Sequence, residues 1–391
     1  DNPDAPAGQP VTEQKHPISY VRSKPGAAST VSASPTLLYT GVVGNWQMKG
    51  EGRGLTFTAA GVQSGGGYAW ASVTSNALPE TIDSKDLEIN WKMSIDGGNS
   101  WFEVGTSKNH LYLTGGAANG AYETVLHLSS EGAKGKRPAN DGEMVRPAED
   151  KNGNGVLDAG EDLNNNGVQD AASAGWTSNK EVVDGIWGQI SGGNGPKNPK
   201  SVDGSTLYYW GAAAISRANT PFGLVTVADV MKHKDGQCGG WGRLLVDLFA
   251  KQGISSSARG ITPTSASADY KAPVAGMDDI DRTKFTATAL GFTVGANLGQ
   301  GGTNTERNFQ DHLVVSVTGI DSVFDPSYGK RFEPDFSTGK SAEQKWEDAS
   351  IVSFRYRYQW TGAGANNTPY ASDFTRNETN IANDPMRVNF S

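Results

Sequence analysis

The sequence predicts an α+β chain: an N-terminal β-sandwich, then an α+β domain in which a helix packs on an antiparallel sheet. Three observations carry this expectation. Glycine supplies 50 of 391 residues, well above the usual ~7%, and proline adds 18, which favours turns and short strands over long helices. Short β-prone runs recur roughly every ten residues between Leu37 and Ser130. One segment, after Gly236, has the apolar spacing of a helix with a buried face.

Residues 1–16 mix Pro, Gly, Ala and charges and are expected to be a flexible leader. Residues 17–130 are assigned to the sandwich. Its strands are expected at Thr36 to Val43, Leu55 to Thr58, Tyr68 to Val73, Leu87 to Met93, Trp101 to Val104, Leu111 to Thr114 and Thr124 to Leu128, with a hairpin turn at Asp96, Gly97, Gly98 and Asn99. Strand number and spacing resemble an immunoglobulin-like sandwich, without the Cys…Trp…Cys hallmark. Residues 131–180 have little apolar periodicity and read as a linker. Residues 181–391 form the second domain. There a helix is expected from Val227 to Lys232, capped by Thr226. A stronger one follows Gly236, with Trp241, Leu244, Leu245 and Leu248 on one face and Gly253 ending it. Strands are expected at His312 to Val317, Ser322 to Phe324 and Ile351 to Trp360.

Composition narrows the function classes. Lys and Arg total 34 against 42 Asp and Glu, a formal charge of −8, so the basic footprint of a nucleic-acid binder is missing. No apolar stretch approaches the ~20 residues that span a bilayer, so no membrane span is expected. The chain is expected to be secreted or displayed at a cell surface, its signal peptide already removed. Cys238 is the only cysteine, so no intrachain disulfide forms.

That cysteine lies where a glycine-rich turn, Asp235-Gly236-Gln237-Cys238-Gly239-Gly240-Trp241, becomes a helix. Unpaired backbone N–H groups and the positive end of the helix dipole stabilise a thiolate there, and Gly239 and Gly240 are expected to leave room for a substrate carbonyl. The backbone N–H of Cys238 is a candidate oxyanion donor. A thiolate needs a proton partner. His312 opens one predicted strand and Asp325 ends the next, so adjacent antiparallel strands hold imidazole and carboxylate side by side. His233, five residues before Cys238, is the weaker rival, because side chains that close in sequence rarely meet across a turn.

The order Cys, His, Asp, with the nucleophile on a helix and its partners on a hairpin, resembles the transglutaminase-like superfamily of papain-like cysteine enzymes. Gly236-Gln237-Cys238 looks like its nucleophile motif, and the segment from Leu244 through Gly253-Ile254 to Arg259-Gly260 like its helix and following strand. Asp311-His312-Leu313-Val314 and Phe324-Asp325-Pro326-Ser327-Tyr328 look like its His and Asp strands. The glycines after the cysteine, and Leu313-Val314 after the histidine, depart from the usual pattern. The resemblance implies a catalytic triad of Cys238, His312 and Asp325. It also implies oxyanion or substrate roles for Gln237 and for an upstream tryptophan, for which Trp210 is the candidate.

A different chemistry is written between the domains. Asp150, Asn152, Asn154, Asp158 and Glu161 fall at positions 1, 3, 5, 9 and 12 of an EF-hand or dockerin-like loop, with Gly155 at 6 and the Val156 carbonyl at 7. A second run, Asp162 to Asp170, repeats the first nine positions but has Ser173 at the twelfth. Calcium is the expected cofactor, stiffening the junction. HExxH and CxxC motifs are absent, which argues against a zinc enzyme.

Together these features predict a secreted cysteine enzyme that transfers an acyl group, hydrolysing amide or peptide bonds of a protein or peptide substrate. Three alternatives share the sequence features: a cross-linking transglutaminase, a polysaccharide-active enzyme reusing the same site, and a calcium-stiffened surface or carbohydrate-binding protein without turnover.

Overall fold

The computed structural model describes residues 16–24, 27–39, 43–64, 67–70, 72–118, 120–137, 179–193, 195–217, 224–263, 285–295, 298–303, 308–309, 311–360, 370–375 and 388–391. The fold is α+β. The chain divides into two compact units, Asp1–Trp187 with Leu248–Ile254, and Gly188–Asp247 with Ser255–Ser391. The expected calcium loops, and the linker from residue 138 on, lie outside the described residues except where a helix begins at Asn179.

The first unit contains β1 (His16–Val21), β2 (Ser32–Ala33), β3 (Thr36–Tyr39), β4 (Val43–Gly52), β5 (Leu55–Ser64), β6 (Gly67–Trp70), β7 (Val73–Ser75), β8 (Asp83–Ser94) and β9 (Phe102–Thr114), then helix α1 (Glu123–Gly132). Seven strands form one sheet in the order β1-β9-β8-β4-β5-β7-β2, and β3 pairs with β6 in a separate ribbon. Alternation explains β8: Leu87, Ile89, Trp91 and Met93 are buried, whereas Asp86, Glu88 and Asn90 are exposed. The buried face packs with Trp46, Met48, Leu55 and Phe57 into one core, each large side chain contributing roughly 1.5–3 kcal/mol. Gly50, opposite Trp91 in the β4–β8 register, is needed because a Cβ there would lie 2.5 Å from the indole.

Two expectations change here. The runs Trp101 to Val104 and Leu111 to Thr114 belong to one long strand, β9; Gly105 adopts φ 153° beside a register shift at Trp91/Lys92, so it bends the strand instead of ending it. Thr124 to Leu128 is not a strand but part of α1. Its alternating, β-branched opening reads as β in isolation, yet Ser129, buried on the same helix, donates to the Leu248 carbonyl at 2.7 Å and accepts from Gln252 Nε2 at 2.8 Å.

Helix α2 (Asn179–Ile190) runs across the boundary between the units. The second unit then contains β10 (Tyr208–Tyr209), α3 (Ala212–Arg217), α4 (Val227–His233), β11 (Asp235–Gly236), α5 (Cys238–Ala250), β12 (Ser256–Pro263), β13 (Phe285–Val294), a short 3-10 turn (Gln300–Gly302), β14 (Asn308–Phe309), β15 (His312–Val317), β16 (Ile320–Asp325), β17 (Lys330–Phe332), α6 (Ala342–Ser350), β18 (Ile351–Trp360), β19 (Tyr370–Thr375) and β20 (Val388–Phe390). Thr226 caps α4 as expected, accepting from the Asp229 N–H while Asp229 accepts from the Thr226 N–H. Helix α5 starts at the cysteine, buries Trp241, Leu244, Leu245 and Leu248 completely, and stops before Gly253 at φ 72°. One sheet has the order β17-β16-β15-β12-β20 and another β14-β13-β18-β19. Among the described residues no helix is long and apolar enough to cross a membrane.

Candidate active site

The second unit brings the three predicted residues of the triad into one neighbourhood. His312 is the first residue of β15 and Asp325 the last of β16, and the antiparallel pairing of these strands sets their side chains together. His312 Nε2 and Asp325 Oδ2 are 3.0 Å apart, with both residues almost fully buried. Cys238, half-buried, opens α5. Since Nε2 is engaged by Asp325, the nitrogen left to exchange a proton with the thiol is Nδ1, which has no partner at full hydrogen-bond distance.

Burial alone pushes the His312 pKa down. The charge and hydrogen bond of Asp325 outweigh it, the Cys238 side chain adds to the rise through a hydrogen bond and its charge, and the imidazole is raised from 6.5 to about 10. The geometry therefore favours imidazolium near neutral pH, the partner a thiolate requires.

Trp346, on α6, completes the site and was not foreseen from sequence. Its Nε1–H donates to Asp325 Oδ2 at 3.1 Å, and its ring stacks on His312 at 5.8 Å with planes 15° apart. The indole covers the His–Asp pair and leaves it shielded from water. The available signal was faint: Trp346 is the one aromatic in Ala342–Ser350, a helix that otherwise reads as polar. Tyr328 contributes a further ring, 5.9 Å from His312, and Tyr209 stands edge-on to Tyr328 at 5.3 Å.

The turn before the cysteine is tied down on two sides. Strands β10 and β11 run parallel, pairing Tyr209 with Gly236, and the Trp210 N–H donates to the Gly236 carbonyl at 3.1 Å. Gln237 donates its backbone N–H to Leu224 at 2.8 Å. Asp235, 3% exposed, accepts from the backbone N–H groups of Gly211 and Ala214, both at 2.9 Å. This clamp holds Trp210 at φ 53°, a left-handed conformation that costs a non-glycine residue of order 1–3 kcal/mol. Trp210 is buried, and its Nε1–H has no partner. Space beside Gly239 and Gly240 is taken by the chain itself: a Cβ on Gly240 would stand 2.8 Å from Val230, and one on Gly239 would stand 3.1 Å from Val225. Those glycines serve close packing at the helix start.

A second hydroxyl–imidazole–carboxylate chain lies in the first unit. His110 Nδ1 meets Asp86 Oδ1 at 2.8 Å and its Nε2 meets Ser84 Oγ at 3.0 Å. Here the serine is 2% exposed while the aspartate side chain is open at 49%. A nucleophile needs the reverse, so this chain ties β8 to β9. Among the described residues no group of three or more His, Cys, Asp or Glu side chains is arranged to hold a metal ion, and Asp150, Asn152, Asn154, Val156, Asp158 and Glu161 lie outside them. No family model and no curated protein matches this chain.

Proposed function

We propose that this protein is a secreted, cysteine-dependent acyl-transfer enzyme of transglutaminase-like type that hydrolyses amide or peptide bonds. The observation that carries the reading is the buried 3.0 Å His312–Asp325 pair, roofed by Trp346, with Cys238 opening the helix beside it. In this mechanism Cys238 Sγ attacks the amide carbonyl carbon and a C–S bond forms. The carbonyl oxygen takes up the negative charge, received by the Cys238 backbone N–H and the unpartnered Trp210 indole N–H. His312 then gives its proton to the departing amine as the C–N bond breaks, leaving a thioester.

Acylation has a consequence for the second half-reaction. It removes the thiolate charge and hydrogen bond that help hold a proton on His312, so the imidazole that gave its proton to the amine stays neutral and free to accept one from the attacking water. That water attacks the thioester, the C–S bond breaks, and the acid leaves with Cys238 restored. Asp325 keeps the imidazole oriented throughout. A calcium ion held by the side chains of Asp150, Asn152, Asn154, Asp158 and Glu161 and the Val156 carbonyl belongs to the same proposal; it supplies rigidity and takes no part in the chemistry.

The test is an acyl-thioester trap. Incubation with activated amide or ester substrates and rapid acid quench should add one acyl mass at Cys238, and none in Cys238→Ala. Turnover that survives Cys238→Ala would remove the cysteine from the reaction.

A further inference from the structure

The short turn Gln300–Gly302 is bonded to both halves of this site. It is closed on itself: the Gly299 N–H donates to the Thr303 carbonyl at 3.1 Å and the Gly302 N–H to the Gly299 carbonyl at 3.0 Å, with Gly301 and Gly302 at φ 78° and 73°. Gln300 and Thr303 therefore move as one piece. One end of that piece grips the chain after Asp325, and the other grips the chain before Cys238.

Gln300 is fully buried, and every polar group of its side chain is used. Nε2 donates to the Pro326 carbonyl at 2.9 Å and to the Ile190 carbonyl at 2.8 Å, Oε1 accepts from the Asn198 N–H at 3.0 Å, and the backbone N–H donates to the Ser327 carbonyl at 3.1 Å. Pro326 and Ser327 directly follow Asp325. A buried amide adds little net stability over an apolar side chain of its shape, but its hydrogen bonds fix direction. On the other side, Thr303 Oγ1 donates to the Tyr209 carbonyl, and Tyr209 pairs with Gly236, two residues before the nucleophile. Gly301 packs so closely on the Tyr208 ring that a Cβ would overlap it. The Trp241 indole of α5 donates to the Tyr208 carbonyl at 2.9 Å, which joins this strand to the start of the helix.

We propose that Gln300 and Thr303 are positioning residues of this site: the turn they share ties the strand before Cys238 to the chain after Asp325, and so fixes the sulfur against the His312 imidazole. The inference rests on the cysteine-enzyme reading above. Helix α5 already rests on β15 at Gly242, where a Cβ would lie 2.5 Å from Leu313, the residue after His312. That contact sets the spacing of helix and sheet. The turn adds a second anchor at the helix start, which keeps the cysteine from shifting along the strand. Such control matters because proton exchange needs hydrogen-bond reach, and a misplacement of about 1 Å can cost about a hundredfold in rate.

The experiment follows iodoacetamide alkylation of Cys238 from about pH 5 to about pH 9, alongside the melting temperature, in the full chain and in Thr303→Val, Thr303→Ser and Gln300→Met. Valine keeps the shape of threonine and removes the donor, whereas serine keeps the donor. In Thr303→Val and Gln300→Met the midpoint of the profile is expected to rise by about one pH unit, toward the ~8.5 of free cysteine, and in Thr303→Ser to return to the wild-type value. A lowered melting temperature with the midpoint unmoved in Thr303→Val, or in folded Gln300→Met, reduces the turn to a stabilising element and overturns the proposal, while the Cys238–His312 reading stands. A midpoint raised equally in Thr303→Ser also overturns it, because the hydroxyl is then not the cause. A wild-type midpoint already at that of free cysteine overturns both readings. If Gln300→Met fails to fold, the Thr303 pair decides alone.

Discussion

Trp346 shows how much of this site is built from single contacts. Its indole N–H satisfies one lone pair of a buried carboxylate, and its face covers the imidazole that shares the same oxygen. Trp346→Phe retains most of the cover and deletes the donor. We expect turnover to fall about tenfold with KM little changed, because the lost hydrogen bond orients Asp325 and not the substrate; an unchanged kcat would reduce Trp346 to packing. The placement of Cys238 at a helix start and of His312 and Asp325 at the ends of paired strands was legible in the sequence, because each position follows from a local pattern. The contacts of Trp346 and Asp235 were not. Their roles depend on partners 21 residues away for Trp346, and 24 and 21 for Asp235, and nothing in their immediate neighbours signals the contact.

At the scale of elements, the hairpin of β15 and β16 is what makes a buried imidazole tolerable. Strand pairing delivers Asp325 to His312, and the pair gives the hairpin a pH dependence whose sign is fixed. His312 titrates at 6.5 when free and at about 10 in the folded protein. Below 6.5 both states hold the proton and the stabilisation is fully present; as pH rises toward 10 the unfolded chain gives up its proton first and the advantage drains away. Denaturant unfolding of wild type and His312→Gln should therefore show a stability difference that shrinks across that window, whereas a flat difference would deny the coupling. Elements with strong periodicity or caps were predicted well: α4 with Thr226, α5 with its apolar face, and β15. Helix α1 was misread because Tyr122 at its N-cap makes no side-chain cap, so no start signal marked it, while Thr124 and Val125 favour strands locally. Tertiary burial of Thr124, Val125, Leu126 and Leu128 decided otherwise.

For the whole molecule, the two units differ in what they hold: the first contains the seven-stranded sheet, and the second contains Cys238, His312 and Asp325. The calcium-loop pattern falls between the expected domains and would make their junction responsive to the ion. Isothermal titration should show binding at millimolar or lower calcium that is weakened strongly in Glu161→Gln, which removes the bidentate ligand; no heat at millimolar calcium would discard the site. The central claim concerns the second unit alone and can be tested without knowing the substrate. The decisive measurement is the rate of iodoacetamide alkylation of Cys238 at about pH 6.5 in wild type and His312→Ala. The account predicts labelling faster than that of free cysteine, lost on His312→Ala. Slow labelling that the substitution leaves unchanged would contradict it.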